Sequence, residues 1–192
     1  QPAYTGRIAI FTSWDVFPYI LNEERSGIAI NSGYEKTETK TKAEALLNTI
    51  QEKLLHQKGG TRHDMLTYIA AKEYLQVHHP KIFYLGLGET DEAAHSGDYF
   101  QYLQKANESD RIIAELWHWV QTTEGYKDNT TFIITTDHGR GQHKWTSHNG
   151  FVKGSSQTWM ALLGRGVSSA GEMHNGERMY QKQVAETIAW LL

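Results

Sequence analysis

An α/β fold, with a mostly parallel sheet sandwiched between helices, is what the sequence predicts, and two observations predict it. Apolar or β-branched runs of strand length recur along the chain and are closed by turn residues. Between them lie segments whose apolar residues recur at helical spacing. Strands that are apolar on both faces and alternate with helices belong to a sheet covered on both sides, and such sheets gather ligands at the carboxyl ends of their strands.

The elements follow in order. "RIAIFTS" (7–13) is the first strand and "GIAINS" (27–32) a weaker one. The polar stretch "NSGYEKTETKTK" (31–42) is a solvated connection rather than a domain boundary. In 41–55, Ala45, Leu46, Ile50 and Leu54 form one helical stripe, and Met65, Ile69, Ala70 and Tyr74 form another. "KIFYLGLGE" (81–89) is the next strand. The longest helical pattern follows, from Ser96 to about Thr123, through Tyr99, Tyr102, Leu103, Ile112, Ile113, Leu116 and Trp117. "TTFIITTD" (130–137) and "TWMALLGRG" (158–166) are strands, and an amphipathic segment from Glu177 to Leu192 ends the chain. No internal repeat interrupts this order, and 192 residues predict a single domain over 1–192.

Composition narrows the function classes. With 19 basic against 22 acidic side chains and a net charge of -3, no nucleic-acid partner is expected. No apolar run reaches membrane-spanning length, and 39% hydrophobic residues with six Trp and ten Tyr suffice for a globular core. The absence of cysteine excludes disulfides, thiolate metal sites and cysteine nucleophiles. The chain opens "QPAYTGRIAIFTSW", without a targeting segment, as expected of a processed protein or one starting inside a longer polypeptide.

Two strands run into an acid and a histidine. After 81–89 comes "TDEAAHSGD", with Asp91 and His95 four apart, so that a helix starting there presents carboxylate and imidazole on one face. Helix capping by Asp91 beside an incidental His95 is the structural alternative. After 130–137 come Asp137 and His138, which reach one ion only if the chain turns, and Gly139 and Gly141 permit that turn. An Asx turn is the alternative here. A further neutral imidazole would complete a catalytic zinc set; His148 in "KWTSHNG" is preferred and His143 is the reserve. His78 and His79 lie at the opposite end of a strand and read as surface residues. Arg140 and Lys144 are candidates for holding a phosphate or sulfate oxygen, with solvated basic side chains as the alternative.

"DEAAH", "TTDHGRG" and "WTSH", with the order of strands between them, resemble the alkaline phosphatase superfamily of metal-dependent phosphatases, phosphodiesterases and sulfatase-like hydrolases. "FTSWDVFPYI", "RSGIAINSG" and "QKQVAETIAWLL" extend the resemblance over nearly the whole chain. It implies that Asp91, His95 and His148 bind one metal and that Asp137 and His138 bind a second. The ions would be two zinc ions, with manganese or calcium as alternatives, acting on a small phosphate or sulfate ester. It also implies an exported or periplasmic protein.

The pattern departs from the superfamily at one place. The resemblance implies an aspartate ligand and a hydroxyl nucleophile upstream of residue 1; Thr12 and Ser13 precede "WDVFPYI", which the resemblance places well after the nucleophile, and Asp15 suits a helix cap. The catalytic nucleophile is therefore unknown, and the resemblance implies an incomplete domain, the C-terminal portion of the fold, partnered by an upstream segment of the same polypeptide. A phosphomutase of the same superfamily, or a non-catalytic metal-stabilised binding domain, are the alternative readings.

Overall fold

The computed structural model describes residues 4, 6–54, 61–173 and 178–192. The chain divides into two compact units: residues 1–117 with 144–147, and residues 118–143 with 148–192.

In the first unit, β1 (Ile8–Thr12) is the central strand of a parallel sheet, between β2 (Ala29–Ser32) and β3 (Ile82–Gly86). Phe11 pairs with Asn31 on one side and Leu85 on the other. Central placement explains the uninterrupted apolar run of β1, since both faces of a covered parallel strand are dry. The short helices α1 (Phe17–Ile20) and α2 (Glu23–Ser26) connect β1 to β2. Next come α3 (Lys42–Leu54) and α4 (Asp64–His78), the latter packed on β1 and β3 and against α3. Then follow α5 (Glu89–Ser96) and α6 (Tyr99–Thr122), of which the residues up to Trp117 belong to this unit. A turn at Gly97, with φ of 79°, separates these two helices. The parallel sheet flanked by helices is the α/β class that the alternating pattern predicts.

The core is built from Ala9, Phe11, Leu47, Leu66, Ala70 and Ala71. Phe11 anchors it, with ring centroids 5.1 Å from Tyr74 and 5.5 Å from Phe83. Burying a ring of that size contributes about 1.5–3 kcal/mol.

The start of α3 is a reciprocal cap. Thr41 Oγ1 accepts from the Glu44 N–H at 3.1 Å, and Glu44 Oε2 accepts from the Thr41 N–H at 3.0 Å. The face of α3 that turns inward differs from the expected stripe. Glu44, Leu47, Asn48 and Gln51 are buried, whereas Ala45, Leu46 and Ile50 are exposed. The reason is polar satisfaction: Asn48 bonds both backbone groups of Thr37, and Gln51 reaches the Glu35 carbonyl and the Arg62 guanidinium. Buried amides with partners cost little, so a count of apolar residues misplaces this helix by about one residue. The first residue of the final predicted helix, Glu177, and the last of the first, Leu55, lie outside the described residues.

In the second unit, β4 (Thr131–Thr135) and β5 (Met160–Gly164) form an antiparallel ladder of their own. Both strands occur where the sequence predicts them, but their pairing is antiparallel because residues 136–159 contain no crossover helix. A 3-10 turn (Gln181–Gln183) leads into α7 (Val184–Leu191). Among the described residues no helix is long and apolar enough to cross a membrane.

Candidate functional site

In the first unit, Asp91 and His95 lie on one face of α5, with His95 Nε2 3.1 Å from Asp91 Oδ2 and both side chains partly exposed. The opposite face carries the buried Ala93 and Ala94, which fixes the pair outward. Two ligand atoms of a tetrahedral zinc lie about 3.3 Å apart, so a pair at this spacing fits one cation.

The backbone leading into α5 is held from another helix. Asp64, at the start of α4, accepts the N–H groups of Gly88 and Glu89 at 2.7 and 3.0 Å, and the Ser13 hydroxyl at 2.6 Å. Glu89 in turn accepts the Asp64 N–H at 2.9 Å, with His63 Nδ1 at 2.9 Å and Lys105 Nζ at 3.2 Å. Burial pushes the Asp64 carboxyl up, against the Ser13, Gly88 and Glu89 hydrogen bonds that favour its charge. Burial also acts upward on Glu89, but the Asp64 N–H, His63 and Lys105 outweigh it and hold the carboxyl below the ordinary value. Lys105 moves the other way: burial lowers it, and Glu108 and Glu89 more than compensate.

Thr12 and Ser13 are fully buried, and their hydroxyls serve the backbone carbonyl of Trp14 and the Asp64 carboxylate. That leaves neither placed to attack a substrate.

In the second unit, the chain turns immediately after β4. Asp137 Oδ1 accepts the His138 N–H at 2.9 Å, and its Oδ2 lies 3.5 Å from His138 Nε2. His138 Nδ1 donates to the Gly139 carbonyl at 3.0 Å, so in the neutral ring it is Nε2, on the side of the Asp137 carboxylate, that carries the lone pair. The rings of His138 and His148 stack with centroids 3.7 Å apart and planes within 7°. His143 is exposed, so it is His148 that the fold brings to His138. Gln181 Nε2 donates to the carbonyls of Thr136 and Asp137 at 2.5 and 2.9 Å, pinning the turn from both sides of its acid.

Gly139 is required by crowding. A Cβ there would stand 2.2 Å from the Gln157 carbonyl oxygen and 2.4 Å from that of Gly154. Of the basic candidates, Arg140 is half-buried and Lys144 exposed.

Sequence reasoning named Asp91, His95 and His148 for one metal and Asp137 with His138 for a second; the structure brings Asp91 to His95 in the first unit, and in the second it brings Asp137 to His138 and stacks His148 on His138. It missed Asp64, Glu89 and Gln181. An acid at the head of the α4 pattern is a signal that would have found Asp64. Nothing local distinguishes Gln181.

The sequence model of the family described as type I phosphodiesterase / nucleotide pyrophosphatase matches residues 14–186. No curated protein and no solved structure matches the chain. This family lies within the alkaline phosphatase superfamily and is metal-dependent, typically on zinc, in phosphoester hydrolysis. The match covers both acid–histidine pairs, and the chain belongs to the type I phosphodiesterase / nucleotide pyrophosphatase family.

Proposed function

We propose that this protein hydrolyses phosphodiester or pyrophosphate bonds in small phosphoric esters with the help of two divalent ions, zinc foremost. Asp91, His95, Asp137, His138 and His148 are their ligands in this reading. Family membership supports the reaction class. The observation that carries the ligand set is that each acid–histidine pair presents carboxylate oxygen and imidazole nitrogen at ligand spacing, 3.1 Å in one pair and 3.5 Å in the other.

The donor set of oxygen and nitrogen without sulfur suits zinc or manganese. The stacking of His138 on His148 favours two ions over one. Paired catalytic ions stand about 3.5–4 Å apart, and imidazoles 3.7 Å apart and parallel suit adjacent ions better than a single one. When bound, such ions supply Lewis-acid charge to the phosphoryl oxygens.

The chain's own residues do the rest. Asp91 and Asp137 contribute negative charge that retains the cations. The Gly139 carbonyl holds His138 in the tautomer whose Nε2 can bind. Arg140 and Lys144 are assigned the non-transferring phosphate oxygens.

The test is metal analysis of the purified chain after equilibration with trace zinc, coupled to assays with an aryl phosphodiester, an aryl phosphomonoester and an aryl sulfate. Zinc uptake that is lost in Asp91→Asn and in His138→Ala, with chelator-sensitive turnover of the diester, is expected. Zinc binding unchanged by both substitutions would overturn the ligand set. Turnover indifferent to chelator would overturn the metal dependence.

A further inference from the structure

We propose that Asp64 and Glu89 form a reciprocal clamp that sets the rotation and depth of α5, making them positioning residues for Asp91 and His95 as cation ligands. The inference rests on the metal-ligand reading of that pair.

α5 has eight residues, too few to hold a helical conformation or a fixed orientation by itself. Its own N-cap, Gly88, provides no side-chain cap. Two of the donors left open at that end are taken by a carboxylate from a different helix, Asp64, at 2.7 Å from Gly88 N and 3.0 Å from Glu89 N. α4 has the same deficit, since its N-cap His63 makes no side-chain cap bond, and Glu89 of α5 fills it by accepting the Asp64 N–H at 2.9 Å. Each helix start therefore caps the other.

Ordinary capping uses a neighbouring residue and fixes only the helix that bears it. A cap given by a separate element also fixes where the helix sits. The clamp is anchored to the sheet: Ser13, which follows β1, donates to Asp64 at 2.6 Å, and its own N–H donates at 2.8 Å to the carbonyl of Gly86, the last residue of β3. On the other side, Glu89 Oε1 is held by His63 and by Lys105 of α6. Asp64 and Glu89 are 2% and 7% exposed, so water cannot replace a lost partner cheaply.

Asp91 and His95 begin two residues beyond Glu89. Successive helical residues are about 100° apart around the axis, so a small rotation of α5 swings both ligand atoms off a common point. Supporting contacts of this kind tune metal affinity by about 10–100-fold.

Cobalt(II) binding to the whole chain tests the clamp, because the visible absorption of the ion reports its coordination independently of activity. Asp64→Asn and Glu89→Gln are expected to stay folded by far-UV circular dichroism, to bind cobalt about 10–100-fold more weakly and to change its spectrum. Asp64→Glu should recover part of the affinity. Leu47→Ala, which weakens the same unit away from α5, should keep the wild-type spectrum, separating positioning from general destabilisation. Wild-type affinity and spectrum in folded Asp64→Asn and Glu89→Gln would overturn the clamp. Should neither variant fold, Lys105→Met decides: a smaller loss in the same direction is expected, and unchanged binding overturns the inference. Asp91→Asn distinguishes the levels. If it loses cobalt while the clamp variants do not, the inference alone fails; if it binds as wild type, the metal-ligand reading fails as well.

Discussion

The imidazoles of His138 and His148 lie face to face, 3.7 Å apart and within 7° of parallel, although ten positions separate them in the chain. Residues 139–147 fold back to make this contact, and His143, which they contain, remains in solvent. His148→Ala is accordingly expected to weaken zinc binding by about 100-fold or more, and His143→Ala by less than about twofold. Competition titration with a chromophoric chelator measures both. Equal losses would show that the stack does not mark the ligand.

Gly139 faces two carbonyl oxygens at distances that no Cβ tolerates, 2.2 and 2.4 Å, and both belong to backbone rather than to yielding side chains. Gly139→Ala should therefore displace the loop and destabilise the second unit by about 1–3 kcal/mol. Thermal unfolding reads the loss. A transition indistinguishable from wild type would mean that the loop relaxes freely.

Arg62 is fully buried and donates to Thr67, Asn31, Gln51 and the carbonyl of Thr12. Burial pulls its guanidinium down to about 10, with Glu35, Tyr34 and Asp64 acting in the opposite sense, so it is charged at neutral pH. Arg62→Leu leaves several buried acceptors without a donor and should cost about 3 kcal/mol or more in urea unfolding. Arg62→Lys should recover little, because an ammonium cannot reproduce the planar fork.

Tyr126 packs against Trp119 with ring centroids 5.0 Å apart, and burial pushes its phenol up to about 12. The folded value lies above the ordinary 10.0, so between the two the folded chain keeps a proton that the unfolded chain has lost. This contribution to stability is complete below pH 10 and disappears as pH rises toward 12. Phenolate absorbance should show a late-titrating tyrosine that Tyr126→Phe removes, and the variant should lose less stability than wild type over that interval. Tyr34, Tyr68 and Tyr74 shift in the same direction, so the difference between variant and wild type is the informative quantity.

Leu46 and Leu47 are neighbours with opposite fates, 61% and 2% exposed. Leu47→Ala is expected to cost about 2–5 kcal/mol and Leu46→Ala less than about 0.5 kcal/mol. Chemical denaturation of the two variants checks which face of α3 is inward; the reverse order would restore the stripe that apolar spacing alone predicts.

The sequence by itself determined the five strands, the alternation with helices and the two acid–histidine pairs, because these are written in contiguous residues. "RIAIFTS" is apolar on both faces whatever surrounds it, and "DEAAH" needs only a helix to bring its acid and imidazole together. Tertiary structure alone decided the inward face of α3, the stacking of His148 on His138, the antiparallel pairing of β4 with β5 and the exchange of caps between Asp64 and Glu89. Each depends on a partner far along the chain. Asn31 and Gln51 meet Arg62, and Asp64 meets Gly88, across 31, 11 and 24 positions. A polar residue is costly or harmless to bury according to whether such a partner arrives, and no local pattern records its arrival.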